Sequence, residues 1–432
     1  MKGRYFVFLV SLLLVSFLYV GLNQTVATSQ YPVHNLTTGL SYPTIQAAID
    51  ANETLGGQTI FVNEGVYLEN VVVNKSVSLI GENRDNTIIN GNQSVQDNFA
   101  FMVNRTNDVV VEGFTMQNFK VGVYLLESDY CRVSNNNMVN CTWYAVMMDG
   151  SRGNFVDSNF FGANNAGVYI RGEWDRNGYD NIVFSNVFDG NSMFAIGISY
   201  STNDTVSSNL VTRNSIGINI FENANDNLIV SNTLQDNGAG LSFFPPDRIG
   251  LSGNETLYHN NFINNTKNVD NSPEDNKWDN GYPSGGNYWS DYNGADMFIG
   301  VYQNETSSDG IGDTPYINTH YRDNYPLILP YPTSQNMTME SWDLYYQFFK
   351  KTSDLEGTVS DLGAENQNLT SAYTTLFSNY GNLQETNGNL TATYKATLTQ
   401  LDGAKNGMYS FIAATVVLAF VVSLLAFRRK RK

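Results

Sequence analysis

Residues 145–170, AVMMDGSRGNFVDSNFFGANNAGVYI, contain one full period of a pattern that recurs six times between Asn107 and Phe262. Each period is anchored on a polar residue followed by an apolar one. The anchors are Gly113-Phe114, Asn137-Met138, Asn159-Phe160, Asn186-Val187, Asn209-Leu210, Asn232-Thr233 and Asn261-Phe262. The basic period is about 22 to 24 residues, and two longer intervals contain the insertions 173–180 and 245–254. A period of this length indicates a repeat architecture.

A short strand is predicted seven or eight residues after each anchor. The six copies are GVYL from Gly122, AVMM from Ala145, GVYI from Gly167, AIGI from Ala195, GINI from Gly217 and GLSF from Gly240. The second and fourth positions are apolar in every copy, whereas the third position varies. The variable residues are Tyr124, Met147, Tyr169, Gly197, Asn219 and Ser242. This alternation is typical of a strand with one buried face.

One such turn cannot bury its own apolar face, but stacked copies can, so the pattern predicts an all-β parallel β-helix over residues 31–275. The repeats resemble the right-handed parallel β-helix of NosD-like surface proteins of archaeal type and of the wider pectin-lyase-like superfamily. The resemblance implies that the anchor asparagines form a ladder of buried amides. Because a buried polar group needs a partner, we interpret these asparagines as structural rather than catalytic.

The segment 41–91 is predicted to close the N-terminal end of the solenoid. Thr44 can cap a short helix in which Ile45, Ala48 and Ile49 form one apolar stripe. The segment resembles the start of pectinesterases and NosD-like proteins, where such a helix covers the open end. An uncovered sheet end invites association, so we expect a capping helix here.

The segment 276–332 departs from the repeat and is predicted to be a C-terminal cap. The words GNYWSDY from Gly286, DGIGDTPY from Asp309 and DNYPL from Asp323 resemble a closing segment of NosD-like proteins. Asp309 and Asp313 flank a glycine-permitted loop whose carboxylates suit Ca²⁺. A plain capped turn is the alternative, because Ser307 stands where a stronger calcium loop has Asp. No other cofactor is indicated.

Both ends of the chain carry membrane signals. Residues 1–27 are predicted to be a secretory signal peptide. Residues 408–427 form a charge-free run followed by a basic tail at 428–432, which predicts a single transmembrane helix with a cytoplasmic tail. The chain between them then faces outward, as a cell-surface ectodomain. Fourteen N-x-Ser/Thr sequons, none in the tail, agree with this and predict a glycoprotein.

Residues 333–407 have a helical pattern instead of the repeat. Leucines recur every seven residues, and Val359, Asn366, Tyr373, Tyr380, Asn387 and Tyr394 follow four residues after them. This d/a heptad predicts a coiled-coil stalk and therefore a homo-oligomer. A single amphipathic or partly disordered linker is the alternative, because the outer faces are rich in Thr, Ser and Asn.

The composition excludes several classes of partner and site. The formal net charge of −17 argues against binding to nucleic acid or to an anionic membrane surface. The three histidines, His34, His259 and His320, are scattered. The two cysteines, Cys131 and Cys141, are able to pair but say little about redox compartment.

The outward positions of the repeated strand form the candidate site. Aromatic rings with interleaved charges suit a sugar chain, because rings stack on its C–H faces and charges hydrogen-bond its hydroxyls. The predicted carbohydrate-binding residues are Tyr124, Tyr169, Trp174, Tyr200, Phe221, Glu222 and Phe244. The candidates for a catalytic role are Asp149, Arg171 and Glu173. An ordinary solvated sheet face is the alternative to a site.

Three functions remain open at this point. The first is a non-catalytic surface protein that binds or scaffolds extracellular polysaccharide. The second is a polysaccharide lyase, hydrolase or epimerase on the same fold, although the chain lacks the active-site words of pectinesterases, polygalacturonases and pectate lyases. The third is copper handling, which the NosD-like resemblance implies. A copper site needs clustered His, Met or Cys, and here only Met147 and Met148 adjoin.

Overall fold

The computed structural model describes residues 31–92, 98–172, 176–243, 252–332, 362, 365–393 and 417–423. The chain divides into two units, Met1–Met337 and Thr338–Lys432. The predicted signal peptide, residues 1–27, lies outside the described residues.

The first unit is a parallel β-solenoid of the right-handed type with about nine turns. Each turn contributes one strand to each of three sheets. We name each sheet by the number of strands that it contains, and we label the strands in chain order.

The eleven-stranded sheet consists of β1 Val33–Asn35, β2 Ser41–Tyr42, β3 Thr59–Val62, β6 Ser78–Gly81, β9 Val110–Glu112, β12 Arg132–Ser134, β15 Phe155–Asp157, β19 Ile182–Phe184, β23 Thr205–Ser207, β26 Leu228–Val230 and β29 Thr256–Tyr258. The ten-stranded sheet consists of β4 Gly65–Tyr67, β7 Thr87–Asn90, β10 Thr115–Gln117, β13 Asn137–Val139, β16 Phe160–Gly162, β20 Val187–Asp189, β24 Leu210–Thr212, β27 Thr233–Gln235, β30 Asn261–Ile263 and β32 Tyr288–Trp289.

The nine-stranded sheet consists of β5 Val71–Val73, β8 Phe99–Asn104, β11 Val121–Leu126, β14 Tyr144–Asp149, β17 Ala166–Arg171, β21 Phe194–Ser199, β25 Ile216–Phe221, β28 Ala239–Phe243 and β31 Lys267–Asp270. Three short pairs lie outside these sheets: β18 Gly178–Tyr179 with β22 Ser201–Thr202, β33 Phe298–Ile299 with β34 Glu305–Thr306, and β35 Tyr316–Ile317 with β36 Arg322–Asp323.

The predicted inward positions of the repeated strand form the core. Val123, Val146, Val168, Ile196, Ile218 and Leu241 are in parallel register and fully buried. Because strand neighbours lie about 4.8 Å apart, equal residues stack directly on one another along the solenoid axis. The prediction of a parallel β-helix is therefore confirmed, including the register of its repeated strand.

The N-terminal helix α1, Ile45–Asp50, is confirmed with its predicted cap. The Thr44 hydroxyl accepts the Ala47 N–H at 3.0 Å, and Ile45, Ala48 and Ile49 are fully buried. These three side chains belong to the solenoid core, so the helix packs on the first strands. The Glu69 carboxylate accepts the N–H groups of Ile45 and Gln46 at 3.1 Å each, which satisfies the start of the helix.

The first turn joins the eleven-stranded to the ten-stranded sheet. In this turn, buried asparagines of successive repeats stack to form a ladder along the solenoid. In each rung the Oδ1 of one asparagine accepts both the backbone N–H and an Nδ2–H of the asparagine one turn earlier, as Asn232 does from Asn209 at 3.0 and 2.9 Å. The members are Asn136, Asn159, Asn186, Asn209, Asn232, Asn260 and Asn287.

The predicted ladder is right at four anchors and wrong by one residue at the other two. Asn137 and Asn261 belong to strands β13 and β30, while the preceding Asn136 and Asn260 turn inward. Runs of consecutive asparagines made the two positions indistinguishable by pattern. Except at Asn287, the residue before each inward asparagine has positive φ, as Ser208 does at 56°, and this left-handed residue directs the next side chain into the core.

Two further ladders follow the other turns. The second turn joins the ten-stranded to the nine-stranded sheet and contains Asn164, Asn191, Asn214, Asn237 and Asn265. The third turn joins the nine-stranded to the eleven-stranded sheet and contains Asn154, Asn181, Asp204, Asn227 and Glu255. Two carboxyl groups thus replace amides in the third-turn ladder, and both are buried.

The two cysteines stand one turn before two different ladders. The backbone N–H of Cys131 donates to Asn154 and that of Cys141 to Asn164. Because one cysteine lies at the third turn and the other at the second, they are not joined by a disulfide. Burial raises the pKa of Cys141 to about 12.

In the C-terminal cap, residues of the three sequence motifs by which it was predicted contact one another. Trp289 of the first word lies in β32 and stacks on Phe262 at 4.4 Å and on Tyr316 of the second word at 4.4 Å. Asp323 of the third word accepts the Trp289 indole N–H at 2.9 Å. The solenoid continues one strand into this segment, and the aromatic rings cover its end.

The second unit contains helix α2 at 365–393 and the helical residues 417–423. In α2 the heptad residues Leu369, Tyr373, Leu376, Tyr380 and Leu383 are exposed. The coiled-coil stalk and the homo-oligomer stay predictions. No helix of the described residues is both long and apolar enough to cross a bilayer. Apart from 417–423, the predicted span 408–427 lies outside them, as does the tail 428–432.

Candidate functional site

The outer face of the nine-stranded sheet carries a cluster of side chains that is separate from the core. Its members are Tyr144, Met147, Ala166, Tyr169, Phe194, Ile216 and Phe221, and we call it the outer aromatic cluster. Tyr169 is central, because its ring stacks on Tyr144 at 5.0 Å and on Phe221 at 5.9 Å. Phe194 lies against Tyr169 at 5.8 Å. The cluster spans four adjacent strands, β14, β17, β21 and β25.

The third positions of the repeated strand, which stack in one outward column, are more buried than the sequence indicated. Tyr169, Asn219 and Ser242 were expected to face solvent, yet their exposures are 8%, 5% and 2%. Part of the reason is Phe194, whose ring lies over Gly197, where an added Cβ would stand 2.6 Å from it. Burial also raises the pKa of Tyr169 to about 12. The half-buried rings of Tyr144 and Phe221 and the Met147 side chain form the accessible surface.

Sequence reasoning missed Tyr144, Phe194 and Ile216 as site residues. They occupy the position before each GVYL-type word and face outward together with the third position. A signal was available, because aromatic or branched residues recur there in β14, β21 and β25. Only their stacking in three dimensions shows that they join the predicted Tyr169 and Phe221.

A polar group borders the outer aromatic cluster on β11, β14 and β17. The Tyr124 hydroxyl donates to Asp149 Oδ2 at 3.0 Å, and Arg171 Nη1 lies 3.7 Å from the same oxygen. Asp149 is 4% exposed, and its Oδ1 is buried without a hydrogen-bond donor in the described structure. On the other side of the cluster, Asn219 Oδ1 is likewise buried without a donor. Two acceptors thus flank the rings.

The predicted catalytic set is brought together only in part. Asp149 and Arg171 are cross-strand partners in β14 and β17. Glu173 lies outside the described residues. Asp149 already accepts from Tyr124 and is neutralised by Arg171, so the described pair offers recognition of hydroxyl groups rather than an evident acid and base.

The remaining predicted sugar-binding residues divide into two groups. Tyr200 and Glu222 are half-buried at the third turn, both with positive φ, at 48° and 50°. Trp174 and Phe244 lie outside the described residues. Tyr124, Tyr169 and Phe221 lie on the outer face, as predicted for the column, although Tyr169 is a supporting ring rather than an exposed one.

A charged network occupies the third turn beside the outer aromatic cluster. The Asp129 carboxylate is 3% exposed and receives Arg176 at 2.8 and 2.9 Å and Arg152 at 3.0 Å. Arg105 binds Glu127 through two hydrogen bonds at 2.9 and 2.6 Å. These paired charges link successive turns along the edge of the sheet, and their mutual pairing indicates a structural role.

The two carboxylates proposed for calcium are engaged by the protein. Asp313 accepts the N–H groups of Met297 and Phe298, and Asp309 Oδ1 accepts the Ile311 N–H at 3.0 Å. The described residues contain no group of three His, Cys, Asp or Glu that suits a metal ion. These contacts match the capped-turn alternative, and calcium binding stays a prediction.

Comparison with known proteins gives two relatives. A "Cell surface glycoprotein" of Methanothermus fervidus is 25% identical over 364 residues, covering 69% of this chain and 57% of that protein. "Probable pectinesterase/pectinesterase inhibitor 6" of Arabidopsis thaliana is 36% identical over 89 residues, covering 18% of this chain and 16% of that protein. The chain thus spans less than two thirds of the length of either relative.

Among solved structures, the surface adhesin PfbA of Streptococcus pneumoniae is similar with a TM-score of 0.42 and 13% identity, covering 50% of this chain and 75% of that chain. The tailspike protein of E. coli bacteriophage HK620, solved in complex with a pentasaccharide, has a TM-score of 0.40 and 12% identity, covering 56% and 57%.

The family described as "Periplasmic copper-binding protein (NosD)" matches residues 44–179 and 174–294 of this chain, which together are more than half of its 432 residues. The described residues do not fit the copper in that description. Met148 is buried in the core while its neighbour Met147 faces outward, so the two thioethers diverge. The structure also holds no His-containing metal cluster within its described part. Because the family model covers more than half of its residues, the chain belongs to the NosD family.

Proposed function

We propose that this protein is a cell-surface solenoid that binds extracellular polysaccharide on the outer aromatic cluster, without turnover. The observation that carries the proposal is the cluster itself. The rings of Tyr144 and Phe221 and the Met147 side chain stay half-exposed on the outside of a solenoid whose core is a separate cluster. An exposed or half-exposed apolar patch rimmed by polar groups is typical of a binding surface.

The cluster has the dimensions of a short sugar chain. It extends over four strands, and three strand spacings of about 4.8 Å make roughly 14 Å along the solenoid axis. Tyr144, Met147 and Phe221 offer faces on which the C–H surfaces of successive sugar rings can stack. Tyr169 stacks against one face of Tyr144 and one face of Phe221, and Phe194 packs against Tyr169.

The flanking polar atoms favour a ligand that supplies hydrogen-bond donors. Asp149 Oδ1 and Asn219 Oδ1 are both acceptors, and both lack a donor in the described structure. A buried acceptor without a donor is costly, so a ligand hydroxyl that reaches it gains free energy. Sugar hydroxyls are such donors.

Surface location is supported by independent features. The named relative from Methanothermus fervidus is a cell surface glycoprotein. The signal peptide at 1–27 and the membrane helix at 408–427 would present residues 31–407 outside the cell, with the short tail 428–432 inside. A coiled-coil stalk would lift the solenoid from the membrane as a homo-oligomer.

A glycan array probed with the full-length protein in detergent tests the proposal. The wild type is expected to bind one class of extended polysaccharide, and the double variant Tyr144→Ala with Phe221→Ala is expected to lose at least tenfold in affinity, or about 1.4 kcal/mol. Tyr302→Ala, in the C-terminal cap at 84% exposure, is the matched control. Equal binding by both variants, with unchanged melting temperatures, would refute the cluster as the site.

A further inference from the structure

We infer that eleven sequon asparagines of the described residues are N-glycosylation sites, that the twelfth, Asn35, is not, and that seven of the eleven glycans lie along the two margins of the nine-stranded sheet and leave the outer aromatic cluster uncovered. The inference concerns covalent modification of this chain and does not depend on the proposed binding function. It starts from the position of each sequon in the solenoid.

Sequon asparagines are separated from ladder asparagines by exposure. Asn52, Asn74, Asn92, Asn104, Asn140, Asn203, Asn254, Asn264, Asn304, Asn368 and Asn389 are exposed. The ladder asparagines are buried, except for half-buried Asn265, and none of them begins a sequon. In a chain so rich in buried asparagine, this separation makes the exposed sequons accessible acceptors.

Four of the exposed sites share one place in the turn. Asn140, Asn203, Asn254 and Asn264 each have positive φ, between 52° and 58°. Each directly precedes an inward residue of the second-turn or third-turn column, namely Cys141, Asp204, Glu255 and Asn265. Because successive residues of this turn point in opposite directions, the burial of the second residue places the first in solvent. Asparagine tolerates the left-handed conformation, which accounts for its use there.

The amide chemistry distinguishes Asn203 from Asn35. Transfer joins the anomeric carbon of a lipid-phosphate-linked oligosaccharide to Nδ2. The bond from that carbon to the phosphate oxygen breaks, the lipid phosphate leaves, and the amide loses one proton. A glycosylated asparagine therefore keeps one N–H. Asn203 uses one described Nδ2 bond, to Asp180 Oδ1, and can keep it after transfer.

Asn35 uses both of its amide hydrogens inside the protein. It is fully buried, and its Nδ2 donates to Thr54 Oγ1 at 3.0 Å and to Gln58 Oε1 at 2.8 Å. Its Oδ1 accepts the N–H groups of Thr37 and Thr38. A glycan on this nitrogen would remove one bond and would have no exit, so the folded protein excludes it although Asn35-Leu36-Thr37 is a complete sequon.

The occupied sites have a consistent distribution over the solenoid. Asn92, Asn140 and Asn264 lie at the second turn, and Asn74, Asn104, Asn203 and Asn254 lie at or beside the third turn. These two turns are the borders of the nine-stranded sheet. Among the described residues, no sequon lies at the first turn, and the one sequon asparagine within a strand of the nine-stranded sheet is Asn104, the last residue of β8 and the register partner of Leu126. Glycans would thus flank the outer aromatic cluster without covering it.

Glycopeptide mass spectrometry of the full-length protein from its own cells tests the inference. Peptides with the eleven exposed asparagines are expected to carry sugar, and the Asn35 peptide is expected to be unmodified. Two variants that leave the asparagine in place form a matched pair. Thr205→Ala removes the Asn203 sequon and should reduce the mass by one glycan, whereas Thr37→Ala removes the Asn35 sequon and should not change it. A glycan at Asn35 in folded protein, or bare asparagine at the four left-handed turn sites, would overturn the inference.

Discussion

The carboxyl group of Asp323 accepts the backbone N–H of Asn287 at 2.7 Å and so ends the first-turn ladder. In every earlier rung, the backbone N–H of one asparagine donates to the asparagine one turn later. Asn287 has no asparagine one turn later, and its N–H donates to Asp323, 36 positions away. Asp323 is fully buried and also accepts the Trp289 indole and the Tyr325 N–H. One carboxyl therefore joins the last rung of the ladder to the aromatic cap.

Gly286→Ala should detach the cap, because an added Cβ would stand 1.9 Å from Asp323 Oδ1. Loss of the buried hydrogen bonds is expected to destabilise the solenoid by about 2 to 4 kcal/mol. Thermal unfolding with Trp fluorescence measures this directly. Gly56→Ala is the control, since its added Cβ meets only ordinary contacts at 3.9 Å. Similar melting temperatures for the two variants would contradict the role of Asp323.

Asn136→Leu and Asn137→Leu form a sharp test of register, because adjacent residues of the same type face opposite sides. Asn136 is buried in the ladder, so its replacement leaves neighbouring groups without partners and should cost about 1 to 3 kcal/mol. Asn137 lies outward in β13, and its replacement should cost less than about 0.5 kcal/mol. Denaturant unfolding of both variants gives the comparison, and a larger loss in Asn137→Leu would reverse the register.

The two ladder carboxyls should make stability fall as pH rises. Burial raises the pKa of Asp204 to about 7 and of Glu255 to about 8. A raised pKa in the folded state means that their contribution is complete below about pH 4 and is lost as pH rises through 7 to 8. Asp204 Oδ2, which accepts no hydrogen bond in the described structure, should gain a proton and become a donor, as the ladder amides are.

The double variant Asp204→Asn with Glu255→Gln should therefore flatten the pH dependence. At pH 9 the variant is expected to be roughly 2 to 4 kcal/mol more stable than the wild type, and at pH 5 the difference should shrink. Melting temperatures at the two pH values measure this. Asp236→Asn, on the exposed second turn, is the control. A wild type that gains stability from pH 5 to pH 9 would show that the buried carboxyls are not protonated in the fold.

Asp149→Asn separates binding from catalysis at the outer face. An amide at position 149 can still accept the Tyr124 hydroxyl but has no second oxygen to accept a ligand hydroxyl, so affinity for the bound polysaccharide should fall, by less than about tenfold. Neither protein is expected to release reducing or unsaturated sugar ends. Asp270→Asn, an outward residue of β31, is the matched control. If the wild type released such ends and only Asp149→Asn lost this release, the protein would be an enzyme and not a binding protein without turnover.

The heptad of the second unit should hold two chains together. Residues 31–407 are expected to form a parallel dimer in light scattering at tens of micromolar, because Asn366 and Asn387 at a positions can bond across the seam. Leu376→Asn with Leu383→Asn, two heptad residues exposed in the single chain, should give monomers. Gln384→Asn, outside the d and a positions, is the control. A monomeric wild type would contradict the coiled coil and favour the alternative of a single amphipathic or partly disordered linker.

The fold was predictable because its determinants are local and repeated. The register of Val146 under Val168, the cap at Thr44 and the helix stripe of Ile45, Ala48 and Ile49 all follow from patterns within a few residues. For the candidate site, the sequence predicted only which positions face outward. Period-2 alternation places Tyr169 and Asn219 outside the core, but it cannot show that both side chains are nevertheless almost completely buried.

By itself the sequence determined the solenoid, its N-terminal cap and the type of residue in its ladders, because burying one face of a 22-to-24-residue repeat requires stacking. Tertiary structure decided which of two adjacent asparagines enters a ladder, since that depends on the left-handed residue before it. It also decided that Tyr144, Tyr169, Phe194 and Phe221 meet on one face. These residues come from four different turns, and only the stacking of strands, not their order in the chain, makes them neighbours.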